Sequence, residues 1–298
     1  MLFFFIINTW AMNPFEEVEC PLGKDYARVF SFSSQNQLGG YDSDLASYAK
    51  GEQFRTFAIS TCYDNYFSLY GQDFDLTLTE EQQSRVQETI TNLRSKLIDP
   101  KNPLVWERYE IAAEIYRNLN RPPHFIAQVY IEASWTVRDS FVGFHQGLNG
   151  PKSAQEILDL GPKELQKTLS PDQKKILVFN LARVAQRAGY PKIRDMYLNK
   201  FESLSNLSDS DKKGLRYIRN IAIPKEQYYQ EKARTELLQA VQNMQNLSDS
   251  EKYHTQYLLA DLHRRLGDST LARPLYEKVR AQSQDERLVD MSDFFLTQ

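Results

Sequence analysis

Glu107, Glu110 and Glu114 recur at spacings of three and four residues and so share one face of a helix. Two such acids could divide the work of general acid and base, but that chemistry needs buried carboxylates with separated pKa values. The same spacing serves an exposed or groove-lining acidic stripe, and the stripe is the expectation. Cys20 and Cys62 are the two thiols. They cannot complete a tetrahedral zinc site without nearby histidine, so no metal or other cofactor is expected. The expected state is a pair of buried reduced thiols, with a bridging disulfide or a residual metal site as alternatives. His124, His145, His254 and His263 have no nucleophile or carboxylate at the spacing of a triad or metal site. His263 falls where a large packing residue belongs, and His145 lies in a loop between Gly143 and Gly147. No phosphate-binding loop, nucleophile elbow, dinucleotide fingerprint or His-Glu-x-x-His occurs. The chain therefore reads as no enzyme. A hydrolase built on the Glu107/Glu110/Glu114 face is the third-ranked alternative.

Charge divides the chain unevenly. The total is −3, but residues 1–100 carry −7 and residues 163–234 carry +8. Such blocks can dock on each other, face separate partners, or be solvated helix faces. The basic block (Lys174, Lys175, Arg183, Arg187, Lys212, Lys213, Arg216, Arg219) is interleaved with Phe179, Tyr217, Tyr228 and Tyr229. That interleaving can bind single-stranded nucleic acid, yet aromatics at helical spacing are usually core, so nucleic acid is not the expected partner.

These side chains need elements to hold them, and the pattern changes once along the chain. From Phe15 to Leu78, Tyr26–Phe32 and Phe54–Ile59 alternate with period two around Gly39-Gly40 and Gly51, predicting a small module of short strands. From Thr79 onward the apolar period is helical. Thr79, Ser170, Ser208 and Ser248 each precede an acid or amide by three residues, the capping-box signature of a helix start. Asn206–Ser210 and Asn246–Ser250 are the same pentapeptide 40 residues apart, and Ser170 begins a helix 38 residues before Ser208. A spacing near 40 predicts repeated helical hairpins. In the last, Leu259-Ala260, His263, Gly267-Asp268, Ala272, Tyr276 and Val279 resemble the tetratricopeptide pattern. Poorer matches run through Ala113–Ala133 and Leu181–Phe201, and a hairpin bent at Ile223-Pro224 is expected over 209–245. The fold class is mainly α, a small mixed α/β N-terminal module followed by an α-solenoid. Residues 1–12 read as an upstream extension with Met12 as the start, or as a short signal peptide. Residues 13–78 form the module, 79–283 the array, and 284–298 a capping helix or tail.

Cys20-Pro21-Leu22-Gly23, Cys62-Tyr63-Asp64-Asn65-Tyr66-Phe67 with Asp73-Phe74, and Ala127–Trp135 resemble the bacterial family of unknown function numbered 2225. There, a module with two Cys-x-x-Cys knuckles precedes tetratricopeptide-like helices. Here Gly23 and Asn65 stand where each second cysteine would be. The resemblance thus implies a zinc-ribbon-like module that has lost its metal, stabilised instead by Phe30, Phe32, Phe54 and Phe57.

Stacked hairpins line an extended groove with their first helices and hold a peptide or helix of another protein there. Aligned to the repeat, the groove positions are Glu107, Glu110, Glu114 and Arg117, then Phe179, Arg183 and Gln186, then His254, Tyr257, Asp261 and Arg264. Phe179 and Tyr257 would be apolar anchors, and Arg183 and Arg264 would meet carboxylates of the partner. The expectation is a non-catalytic adaptor in a bacterial cytoplasm, with no membrane partner. A signalling or motility regulator as its partner has no residue behind it. The alternative is a nucleic-acid- or metal-binding protein of zinc-ribbon descent.

Overall fold

Two hairpins open the chain in the computed structural model, which describes residues 15–30, 36–142 and 148–298. β1 (Phe15–Glu19) and β2 (Tyr26–Phe30) pair antiparallel with Phe15 opposite Phe30. β3 (Ile59–Thr61) and β4 (Ser68–Tyr70) form the second pair, and a bridge from Ala27 to Cys62 joins the two. Ser31, Phe32, His145 and residues 1–14 lie outside the described residues. The strand expected over Phe54–Ile59 is not formed. Phe54–Thr56 is a 3-10 turn that buries Arg55, whose guanidinium reaches the Ser47 carbonyl and the Asp139 carboxylate. That tertiary ion pair overrides the local period-two pattern.

Eleven helices follow among the described residues: α1 (Glu80–Arg94), α2 (Val105–Asn118), α3 (Pro123–Val142), α4 (Gly150–Glu164), α5 (Pro171–Ala188), α6 (Pro191–Glu202), α7 (Asp209–Tyr217), α8 (Ile223–Gln242), α9 (Asp249–Arg265), α10 (Ser269–Gln282) and α11 (Glu286–Thr297). The protein is therefore mainly α behind a small strand module. All four expected capping boxes form, at Thr79, Ser170, Ser208 and Ser248. Helical hairpins α2/α3, α5/α6 and α9/α10 turn at left-handed residues, Asn120, Gly189 and Gly267. The hairpin expected at Ile223-Pro224 is absent. Residues 218–222 form a π turn that carries α7 into α8 without reversing the chain, and Pro224 follows directly after that turn.

The hairpins do not stack strictly in sequence order, because α3 packs chiefly against α8, and α8 against α9. One apolar core runs from Cys20, Ala27 and Phe67 through α2 and α3 to Tyr229 of α8 and Leu258 of α9. The strand module thus shares its core with the helices. Two further cores lie within α4–α7 and among α9–α11.

Candidate functional site

The segment 39–48 folds back on itself and inserts its tip among the helices. Gly39 N–H donates to the Tyr48 carbonyl and Tyr48 N–H to the Gly40 carbonyl, while Asp42 N–H closes on the Ala46 carbonyl. Gly40 is required at the entry: φ is +78°, and a Cβ there would lie 1.9 Å from the Leu148 carbonyl oxygen. The tip, Asp42-Ser43-Asp44, is buried.

Four arginines from three helices meet it. Arg138 of α3 donates to Asp44 at 2.6 Å and lies 3.5 Å from Asp42, and Arg187 of α5 donates to Asp42 at 2.8 Å. Arg264 and Arg265, in the last turn of α9, donate to the Ser43 hydroxyl at 2.9 and 2.8 Å and to Asp261 at 2.7 and 2.6 Å. Tyr257 donates to the Ser43 carbonyl at 2.6 Å, and Tyr48 to Asp42 at 2.8 Å. Glu226 of α8 completes the cage, 3.8 Å from Arg138 and accepting from Gln186 at 2.6 Å and Gln230 at 3.1 Å. Burial would raise the Asp261 carboxyl, but Arg264 and Arg265 hold it down at about 2. Burial likewise opposes ionisation of Asp44, and Arg138 with Arg265 overcomes it. For Glu226 burial wins: its carboxyl is pushed up to about 7 despite Arg138 and Arg265.

The expected groove residues divide into three sets. Tyr257, Asp261 and Arg264 do converge, but on the chain's own loop, while the Gln186 side chain bonds Glu226 and Arg194; Tyr257 and Asp261 have no exposed surface. Arg264 therefore meets Asp261 and Ser43 rather than a partner, and Tyr257 is a clamp on the Ser43 backbone. Glu107, Glu110, Glu114 and Arg117 do not line an open wall. Glu107 is buried and accepts from the Ile98 and Leu104 N–H groups, as the capping acid of α2. Glu110 accepts from Tyr228 and Tyr229 of α8, while Glu114 and Arg117 join Tyr130, Lys232 and Glu236 in the seam between α2, α3 and α8. Phe179, Arg183 and His254 retain accessible surface. Arg183 lies over the Phe179 ring, 5.9 Å from its centroid, and donates to the Val142 carbonyl. Arg187, one of the basic block, is fully buried.

The thiols correct a second expectation: Cys20 and Cys62 form a disulfide. Gly23 and Asn65 lie side by side, and the Asn65 amide donates to the Leu22 carbonyl at 2.5 Å. Asp25 lies beside both sulfurs, but the disulfide leaves no thiolate to ligate a metal. Its oxygens already accept from Tyr26, Asp64 and Asn65 N–H groups, so the residues here do not fit a four-ligand zinc site.

Asp42, Asp44, Arg138, Arg265 and Glu226 were not selected from the sequence as site residues. One signal was available: Arg138 is the only Lys or Arg in the 20 residues of α3, otherwise rich in apolar side chains, and a charge there needs a buried counter-charge. Among the described residues no helix is long and apolar enough to cross a membrane. No family model matches the chain, and neither the curated proteins nor the solved structures contain a match to it.

Proposed function

We propose that the protein is a non-catalytic interaction scaffold whose tetratricopeptide-like helices recognise an acidic turn of a partner protein. The observation that carries this reading is the grip on Asp42-Ser43-Asp44: side chains of α3, α5 and α9 surround a folded-back acidic turn, and bond its backbone as well as its carboxylates. Helical-hairpin arrays recognise peptides through such inner walls, and guanidinium–carboxylate pairs supply the specificity. In the resting chain the protein's own loop is the occupant, at the high effective concentration that tethering provides. The partner's segment competes with it. The resemblance to the 2225 family, with Gly23 and Asn65 in place of two knuckle cysteines, belongs to the same reading. The cytoplasmic location expected from the cysteine count loses its support once Cys20 and Cys62 pair, because disulfides persist in oxidising compartments.

The test uses a fluorescent peptide spanning residues 38–49 and a chain carrying Asp42→Asn with Asp44→Asn, folded by circular dichroism. The peptide is expected to bind this variant more tightly than wild type, and its Asn-substituted version to bind neither. Equal, negligible binding of both peptides to the folded variant overturns the proposal.

A further inference from the structure

A cleft of about 300 Å³ opens between the β1/β2 hairpin, β3 and the entry to α2. It shares no residue with the arginine cage. Arg28, Lys101 and Arg108 line it, and no acidic residue does. Among the described residues none of the three has a carboxylate within 4.0 Å, although Glu17 stands opposite Arg28 in the strand register. Arg108 is the informative one. It is half-buried, its Nε donates to the Pro103 carbonyl at 3.0 Å, and its terminal nitrogens have no acceptor among the described residues. Loss of hydration, with no anion to offset it, lowers its pKa. The acid beside it in sequence, Glu107, is turned away to cap α2. By contrast, Arg55, Arg138, Arg194 and Arg265 in the protein interior each meet a carboxylate. Aromatic side chains share the lining: Tyr63 is 55% exposed, and Phe15 and Phe57 are half-buried against each other and against Phe30.

We propose that this cleft binds a small organic phosphate bearing a flat ring, of the nucleoside monophosphate class. A guanidinium fork with two further cations matches a phosphate monoester in charge and in hydrogen-bond geometry. The exposed Tyr63 ring accepts a planar ring by stacking. The volume is that of a site for one small ligand. Inorganic phosphate alone would leave the Tyr63 ring uncovered, and a neutral nucleoside would leave three cations unpaired.

Isothermal titration of the full chain with adenosine monophosphate, adenosine and inorganic phosphate tests this. Adenosine monophosphate is expected to bind at least tenfold more tightly than either fragment. Arg108→Gln should weaken it about tenfold or more, the loss of one charge-assisted contact. Arg273→Gln, a change on the exposed face of α10, should leave binding as in wild type. Lys101→Gln, at an exposed position whose side chain makes no ion pair among the described residues, should weaken it several-fold and serves as an independent test if the Arg108 variant fails to fold. Affinity for adenosine monophosphate no better than for its fragments overturns the proposal, as does binding that the Arg108 and Lys101 changes leave equal to that of the Arg273 control.

Discussion

Glu226 gives the cage a titration that can be read from outside. Its carboxyl is fully buried and pushed from 4.5 up to about 7 by burial, which Arg138 and Arg265 offset only in part and Asp44 reinforces. Between pH 4.5 and 7 the folded chain keeps this proton and the unfolded chain has lost it. Unfolding therefore releases a proton in that window, so stability falls as pH rises through it and levels off above about 7. The shift corresponds to about 3 kcal/mol. Other groups contribute with the opposite sign. His263, held below the usual imidazole range first by burial and then by Arg234, makes stability rise with pH near neutrality. Asp261, with its pKa near 2, contributes stability that is lost only as pH falls from about 3.8 through 2. Both are common to wild type and Glu226→Gln, so the difference between the two proteins isolates Glu226. Urea unfolding of both at intervals from pH 4.5 to 8 should show the variant gaining about 3 kcal/mol relative to wild type across the window. A constant offset from the altered hydrogen bonds to Gln186 and Gln230 does not affect that reading. A relative change below about 1 kcal/mol would refute the reasoning, because it would mean that Glu226 is already ionised in the folded protein at pH 5.

Three further outcomes follow from the same geometry. Asp44→Asn leaves Arg138 without its 2.6 Å partner in the interior and is expected to cost about 3–5 kcal/mol, measured as a fall in the urea midpoint; a cost under 1 kcal/mol would place the Arg138 charge in water. Reducing the Cys20–Cys62 bond, which spans 42 residues, should remove about 4 kcal/mol of stability, so an unchanged midpoint with a thiol reductant contradicts the disulfide. Gly40→Ala should destabilise by at least about 2 kcal/mol, since it meets the Leu148 carbonyl as well as the left-handed penalty. Gly51→Ala has φ at +124° but open space around it and should cost clearly less in the same melt.

Much of the architecture was legible because it is written locally. Hydroxyl residues three positions before an acid or amide marked four helix starts, and each is a capping box in the structure. Gly267, within the repeat pattern, is the left-handed turn of the α9/α10 hairpin. The errors lie where a distant contact outweighs a local pattern. Phe54–Ile59 alternates like a strand, yet Arg55 must reach Asp139 and Ser47, so the chain turns there. Ile223-Pro224 reads as a bend, yet a π turn carries α7 into α8.

The same division holds for the site. By itself the sequence determined a mainly helical chain with an N-terminal strand module, and its helix starts, because periodicity, caps and residue types act within a few positions. Only the tertiary structure decided what the inner wall faces. Arg138, Arg187 and Arg265 lie 94, 145 and 221 residues from the carboxylates they meet at Asp44 and Asp42, and no spacing rule connects such positions. Their meeting is set by the packing of α3, α5 and α9, which leaves one buried, positively charged space that an acidic loop must fill.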